Sequence, residues 1–470
     1  MSLLKSLVAA VALLGAHAQA AGVSGTAIGF ASGTTGGGSA VAAAPSDTTE
    51  LTKWLTDSTP RTILIDKEFN YLGTEGKCTD CKCCIPESNT CGSAGQNAID
   101  NSDWCGSYPT TTCTYDKAGI EGINVASNKS IVGVGSNGVI RGKGLRLTGV
   151  SNVIIQNIHI TELNPQFIWG GDAITLDGTN NIWIDHVKVN LVGRQMFVSG
   201  YEPSGAVTIS NSEFDGQTSW SSSCDGHHYW TVLGYGKDDQ VTFTGNYIHH
   251  TSGRSPKLEF NSFWHAYNNY WFNNTGHAFD IGESTNALIE GNVFHQVKTP
   301  MLEDSSPGAT FAVSSSSAAT CKSKLGRDCA PNSLVQSGTL SASDESVLSA
   351  MPKGESSVNV LAASRVRSSV LSNAGVGKLS SSNSKRQFRG QIAPVLSSAG
   401  PGASPAGPKP TWSWRTVGVK PTPSSFPTGF PTGFPTAFPT AFPTETPQGT
   451  PFGGKGKGEG SSGGFPFGWF

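Results

Sequence analysis

Between Ser130 and Phe294 the chain repeats one pattern of apolar and polar positions: an alternating β-branched or aromatic run, usually carrying an Asn, then another apolar pair. It occurs in VIIQNIHI from Val153, NIWIDHVKV from Asn181, VTISNSEF from Val207, VTFTGNYI from Val241, HAYNNYWF from His265 and ALIEGNVF from Ala287. Alternation with period two marks a strand, and short strands at a loosely fixed period mark a solenoid. The copies recur every 22 to 34 residues or so, too irregularly for a leucine-rich repeat, and Gly and Asn punctuate them too often for helical repeats. The pattern therefore predicts an all-β chain wound as a single-stranded parallel β-helix, with alternate residues stacked inward as a continuous core. The recurrent Asn157, Asn211, Asn246, Asn269 and Asn292 read as structural residues that hydrogen-bond neighbouring backbone at each turn. A β-sandwich of similar strands is the competing architecture.

Outside this body the character of the chain changes twice. Residues 1–20 carry Lys5, an apolar run from Leu7 to Leu14 and small residues at Ala16, Ala18 and Ala20. That is the layout of a cleaved secretory signal, too short to span a bilayer. From 380 to 470 a Ser-rich stretch leads into repeated Phe-Pro-Thr and a Gly/Lys/Phe ending. Such a segment cannot bury enough apolar surface to fold, so it is expected to be an extended tail. The folded domain is then 21–379.

Composition narrows the partners. A formal net charge of −2 gives no basic excess for nucleic acid or an anionic membrane surface. Nothing marks an oligomer interface, so a secreted, extracellular monomer is expected, with Asn128 and Asn273 as glycan acceptors. Ten cysteines behind a signal peptide favour disulfides over the zinc site that Cys78-x-x-Cys81 would otherwise suggest.

Candidate chemistry gathers in three segments: Trp169-Gly170-Gly171-Asp172, Val192-Gly193-Arg194-Gln195, and Ser252 to Lys257. In a β-helix, equivalent places in successive coils lie on one side, so Asp172, Arg194, Arg254 and Lys257 are expected to converge. A lone arginine is more often a surface ion pair, but one bracketed by Gly and Pro in a loop after a strand is better placed for function. Trp104, Trp169, Trp183, Trp220, Trp230, Trp264 and Trp271 supply aromatic faces of the kind that stack on sugar rings, although any single one also fits a core position.

WGGDAITLDGTNNIWIDH (Trp169 to His186), VGRQMFV (Val192 to Val198), CDGHHYW (Cys224 to Trp230), HTSGRSPK (His250 to Lys257) and NNYWFNNTGHAFDIGE (Asn268 to Glu283) resemble the pectin lyases of polysaccharide lyase family one. The opening VSGTAIGFASGTTGGG (Val23 to Gly38) is similar too, so the resemblance runs from about Val23 to Leu379. It implies a right-handed β-helix that cleaves methyl-esterified homogalacturonan by β-elimination. Arg254 takes the position of the residue that removes the C5 proton, with Arg194, Asp172 and Lys257 beside it and Trp104, Trp169 and Trp230 along the cleft. It also implies bridges between Cys91 and Cys224, between Cys83 or Cys84 and Cys105, and between Cys321 and Cys329, with Cys78, Cys81 and Cys113 as extras. The segment CCIPESNTCG (Cys83 to Gly92) lacks a tryptophan that the family commonly supplies, so the far end of the cleft is expected to differ.

Physical chemistry supports part of that assignment and questions part. A proton next to a carbonyl leaves more easily from an ester than from a carboxylate. Arginine, however, stays protonated in nearly every setting, so Arg254 is expected to be essential, with a guanidinium that holds the enolate oxygen while solvent takes the proton as the alternative role. The related pectate lyases use calcium held by carboxylates, some just after the WIDH motif. Here no Asp or Glu occurs between Asp185 and Glu202, and Arg194 occupies that stretch, so no metal or other cofactor is expected. A calcium-dependent pectate lyase, a polygalacturonase and a non-catalytic wall-binding solenoid are the rival readings.

Overall fold

The computed structural model describes residues 22–302, 307–352, 355 and 358–379; the expected signal segment and tail lie outside them. Their strands coil into three parallel sheets. One coil runs through Ser151–Gln156 in the first sheet, His159–Leu163 in the second and Ile174–Asp177 in the third, and the next starts at Asn180. The first sheet has ten strands, ending with Ala309–Ala312. The second and third are joined because the strand Tyr270–Ile281 turns the corner between them without a loop.

Register explains the inward stack. Ile63, Ile131, Ile155, Ile184, Ile209, Phe243, Ala266, Ile289 and Ala312 are successive partners along the first sheet and belong to one buried cluster. In the third sheet Ile123, Leu145, Ile174, Phe197 and Val232 do the same. Each buried aliphatic rung contributes on the order of 2 kcal/mol, and the next coil covers it. The outward row of the first sheet, Ile154, Trp183, Thr208, Thr242 and His265, is covered in part by the N-terminal segment: Phe30 N donates to Thr242 Oγ1 (2.9 Å) and Ala31 N to Thr208 Oγ1 (3.1 Å).

The recurrent asparagines divide into two groups. Asn246, Asn269 and Asn292 form a buried ladder, each side chain accepting from the backbone N–H of the residue one coil back and donating to a carbonyl further back, with Asn332 as the last rung. Asn157 and Asn211 instead occupy the left-handed corner itself, at φ of 58° and 46°, a conformation that Asn tolerates better than most residues. The sequence pattern predicts structural asparagines and does not separate these two positions.

Candidate active site

Every segment predicted to carry chemistry leaves the second sheet and enters the third, so successive loops stand side by side. Residues 164–173 carry Trp169 and Asp172, 193–196 carry Arg194, 216–231 carry Tyr229 and Trp230, and 250–256 carry Arg254. The third sheet supplies the floor, with Arg146, Thr175, Val198, Leu233, Lys257 and Asp280 as successive partners on one face.

Two glycines permit the close packing of these loops. A Cβ on Gly193 would stand 2.5 Å from the Phe167 carbonyl oxygen, and one on Gly253 would stand 2.4 Å from the Tyr229 ring. Arg254 follows directly, in the left-handed region at φ 43°. Its N–H donates to His277 Nε2 (3.2 Å) and its carbonyl accepts from Val232 N (2.6 Å). Its guanidinium lies 4.8 Å from the Trp230 ring centre and 5.8 Å from that of Tyr229. Among the described residues no carboxylate forms an ion pair with it.

Arg194 is buried, 8 % exposed, with its guanidinium 3.8 Å from the Trp169 ring centre and 3.7 Å from Asp172 Oδ2. The other Asp172 oxygen accepts from Gln195 N (2.7 Å). Burial pulls the Arg194 guanidinium down to about 10, Arg254 adding to the effect and Asp172 opposing it. Burial also raises the Asp172 carboxyl, against the pull of Arg194 and the Gln195 N–H. Both shifts run the same way, towards neutral forms, so desolvation outweighs the attraction within the pair.

Lys257 reaches the floor of the groove, but its ammonium is held between Glu259 and Asp280, both at 2.9 Å. Burial would lower it; the two carboxylates win and hold it above the usual lysine range. Tyr229, His277 and His228 complete the site; each lies in one of the family-like motifs, but its residue type alone carries no signal for this role. Burial lowers His277 to about 4, with Arg254 and Lys257 adding and Asp280 opposing, so it is neutral and can accept from Arg254 N. His228 is likewise lowered to about 4 by burial, and its Nε2 lies 2.7 Å from the Arg194 carbonyl and 3.1 Å from that of Trp230. A neutral ring with its proton on Nε2 donates to both and ties the two loops together.

The tryptophans sort by environment. Trp264 and Trp271 are fully buried in the core, and Trp183 packs under the N-terminal segment. Trp104, Trp169 and Trp230 come together with Tyr108 over a lobe made by Lys77–Cys84, Asn97–Ile99, Thr110–Asp116 and Phe167–Ile168. Trp104 and Trp169 meet edge to face at 6.4 Å. Disulfides fix this lobe, and of the two residues expected to pair with Cys105 the structure has Cys84. Cys84 and Cys83, adjacent on the strand Lys77–Cys84, point to opposite faces, so Cys84 bonds to Cys105 in one cluster and Cys83 to Cys113 in another, while Cys78 bonds to Cys81 across a break in the strand's register. Cys91–Cys224 and Cys321–Cys329 form as expected.

The carboxylates do not suit a calcium ion. Asp172, Glu259 and Asp280 face protein cations. Asp185, of the WIDH motif, is buried away from the groove among Gln156, His186, Ser210 and Asn211; burial would raise it, but these partners hold it below the ordinary carboxylate range. A site that offers calcium six to eight oxygens is not assembled from these residues.

Fold and site together describe a parallel β-helix with a cluster of cationic and aromatic side chains along its third sheet. A family model described as "Pectate lyase" matches residues 1–379, and the chain belongs to the pectate lyase family. It is 68 % identical over 447 residues to "Probable pectin lyase F" of Aspergillus niger, covering 91 % of this chain and 94 % of that one. It is 49 % identical over 370 residues to "Pectin lyase B" of Emericella nidulans, covering 77 % and 96 %. A solved pectate lyase from Paenibacillus sp. 0602 shares the fold, with a TM-score of 0.51 at 17 % identity over 76 % of this chain and 97 % of that one.

Proposed function

We propose that this protein is an endo-acting pectin lyase that cleaves methyl-esterified (1→4)-α-D-galacturonan by β-elimination, without a metal. One observation carries the reading: two fixed guanidinium groups, Arg194 and Arg254, stand in an aromatic groove whose carboxylates are already engaged by protein cations. An uncharged, esterified polymer suits such a groove, and the curated relatives carry the name pectin lyase.

In the reaction the C5 proton leaves, its electron pair forms the C4–C5 double bond, and the C4–O bond breaks. Arg254 acts at C5. A neutral Arg254 guanidine takes the proton itself and carries the resulting charge, or a charged guanidinium holds the ester oxygen while a water takes the proton. Either way the positive charge stabilises the electrons on the ester oxygen, and the departing C4 oxygen takes a proton from solvent and leaves as the hydroxyl of the new reducing end. Arg194 supplies a second fixed positive charge, oriented by Asp172 and backed by the Trp169 ring. His277 positions the Arg254 backbone, and Lys257, between its two carboxylates, orders the floor. Trp104, Trp169 and Trp230 take sugar faces.

All ten cysteines are paired, as an oxidising route would leave them. No helix among the described residues is long and apolar enough to cross a membrane. On this reading residues 1–20 are removed on secretion, 21–379 form the catalytic domain, 380–470 form a non-catalytic tail, Asn128 and Asn273 carry glycans, and the enzyme acts as a monomer.

The test is ultraviolet absorbance of unsaturated uronides on highly esterified pectin and on polygalacturonate, with and without chelator. Product from esterified pectin regardless of chelator is expected; calcium-dependent product from polygalacturonate would move the protein to the pectate branch, and none from either would refute elimination. Arg254→Ala is expected to lose nearly all turnover while keeping its melting temperature and its binding to pectin.

A further inference from the structure

Beyond the third sheet, on the side away from the tryptophans, a second set of aromatic side chains recurs coil after coil. Tyr201 follows the strand Phe197–Ser199, Tyr235 follows Val232–Gly234 and Phe260 follows Lys257–Leu258. Tyr201 and Tyr235 meet edge to face at 5.3 Å, and Tyr235 and Phe260 at 4.6 Å. The loops that carry them are bonded to one another through backbone: Tyr235 N to Ser199 O (3.1 Å), Lys237 N to Tyr201 O (3.0 Å), Glu259 N to Gly234 O (2.8 Å) and Asp238 N to Phe260 O (3.0 Å). The row is therefore built into the coil and does not depend on a long loop.

Mutual packing alone does not account for it. Tyr201 remains 45 % exposed and Phe260 41 %, whereas the aromatics of the core are almost wholly covered. A contiguous row of exposed apolar rings differs from a singly exposed apolar side chain, which needs no explanation, and contiguous exposed patches mark binding sites. Its position matches the substrate site. Tyr201, Tyr235 and Phe260 each follow within three residues of the floor residues Val198, Leu233 and Lys257, which are successive partners in the third sheet. The floor strands between the two aromatic rows are three residues or fewer, roughly 10 Å at the strand rise, about the breadth of one substituted pyranose ring.

We infer that Tyr201, Tyr235 and Phe260 form a second wall of the groove, opposite the tryptophans, that takes the sugar faces and methyl-ester groups of the pectin chain. This rests on the pectin lyase reading and deepens it: one wall orients the chain, and the other selects esterified units, because a methyl ester gains from an aromatic face what a hydrated carboxylate loses on desolvation.

The experiment uses the full-length protein with Tyr201→Ala, Phe260→Ala and Tyr201→Phe. Steady-state kinetics on highly and sparsely esterified pectin are combined with pectin binding by affinity electrophoresis, and melting temperatures check the fold. Each alanine variant is expected to raise KM on highly esterified pectin about three- to tenfold with kcat changed by less than about twofold, and to weaken binding in parallel. Tyr201→Phe is expected to restore both. KM and binding unchanged in both alanine variants of an active enzyme would overturn the wall, as would a Tyr201→Phe variant as impaired as Tyr201→Ala. If the wild type binds pectin but forms no unsaturated product, the lyase reading fails, and the binding of Phe260→Ala relative to wild type still decides the wall.

Discussion

Replacing Arg194 separates a charge kept for chemistry from one kept for stability. At 3.7 Å the Arg194–Asp172 pair has a Coulomb attraction of about 4 kcal/mol at an effective dielectric near 20. Burial costs several kcal/mol per ion, and the two shifts, the guanidinium down to about 10 and the carboxyl up, show that burial wins. Arg194→Met keeps most of the volume and strands Asp172, which should cost about 3–5 kcal/mol of stability. That cost should grow as pH rises above the ordinary carboxylate range, where Asp172 must ionise without its partner. Arg194→Met with Asp172→Asn removes both charges and should return to within about 1 kcal/mol of wild type. Turnover should not return: both variants are expected to lose about 10²–10³ in kcat on esterified pectin, the cost of removing one preorganised stabilising group. Thermal melts and the absorbance assay read the two quantities separately. If activity recovers in the double variant along with stability, Arg194 serves the fold and its catalytic assignment is wrong.

Three further outcomes follow from the packing. Gly253→Ala puts a methyl group against the Tyr229 ring beside Arg254, so kcat should fall at least about tenfold with a melting shift equivalent to about 1–3 kcal/mol; unchanged kcat would show that this loop has slack. His265, fully buried between Glu290 and Glu355, with Arg327 also on Glu290, forms an ionic cluster outside the groove. Burial would raise Glu290, yet His265 and Arg327 bring it down to about 2, so its contribution is complete above the unfolded carboxylate range and is lost as pH falls from about 4.5 towards 2. Glu290→Gln should cost about 3–5 kcal/mol at neutral pH and flatten the acid limb of the melting curve; a limb as steep as wild type would place the acid sensitivity elsewhere. Breaking Cys91–Cys224, which closes a long loop beside Trp230, with paired serines should cost about 2–5 kcal/mol and raise KM more than it lowers kcat, and an unchanged KM would show that the bridge does not shape the groove.

The repeat of alternating apolar runs, punctuated by Gly and Asn, favoured a parallel β-helix over a β-sandwich, because a coil covered by its own next turn buries such short strands at a loosely fixed period. The same repeat placed Asp172, Arg194 and Arg254 on one side, since equivalent positions in a solenoid share a face. Motif content carried the aromatic residues Trp104, Trp169 and Trp230 to the groove and left Trp264 and Trp271 undecided between cleft and core. What only the tertiary structure decided depends on which side chains from distant loops touch. Lys257 is charged in any sequence reading, but Asp280, from the following coil, takes up its charge. The partner of Cys83 depends on which face of its strand the sulfur leaves, so Cys113 and not Cys105 receives it. His277 could be neutral or charged until burial and the approach of Arg254 fixed it. Tyr201, Tyr235 and Phe260 follow no common spacing along the chain, because the coils differ in length. They form a row only once register has brought the ends of three strands together.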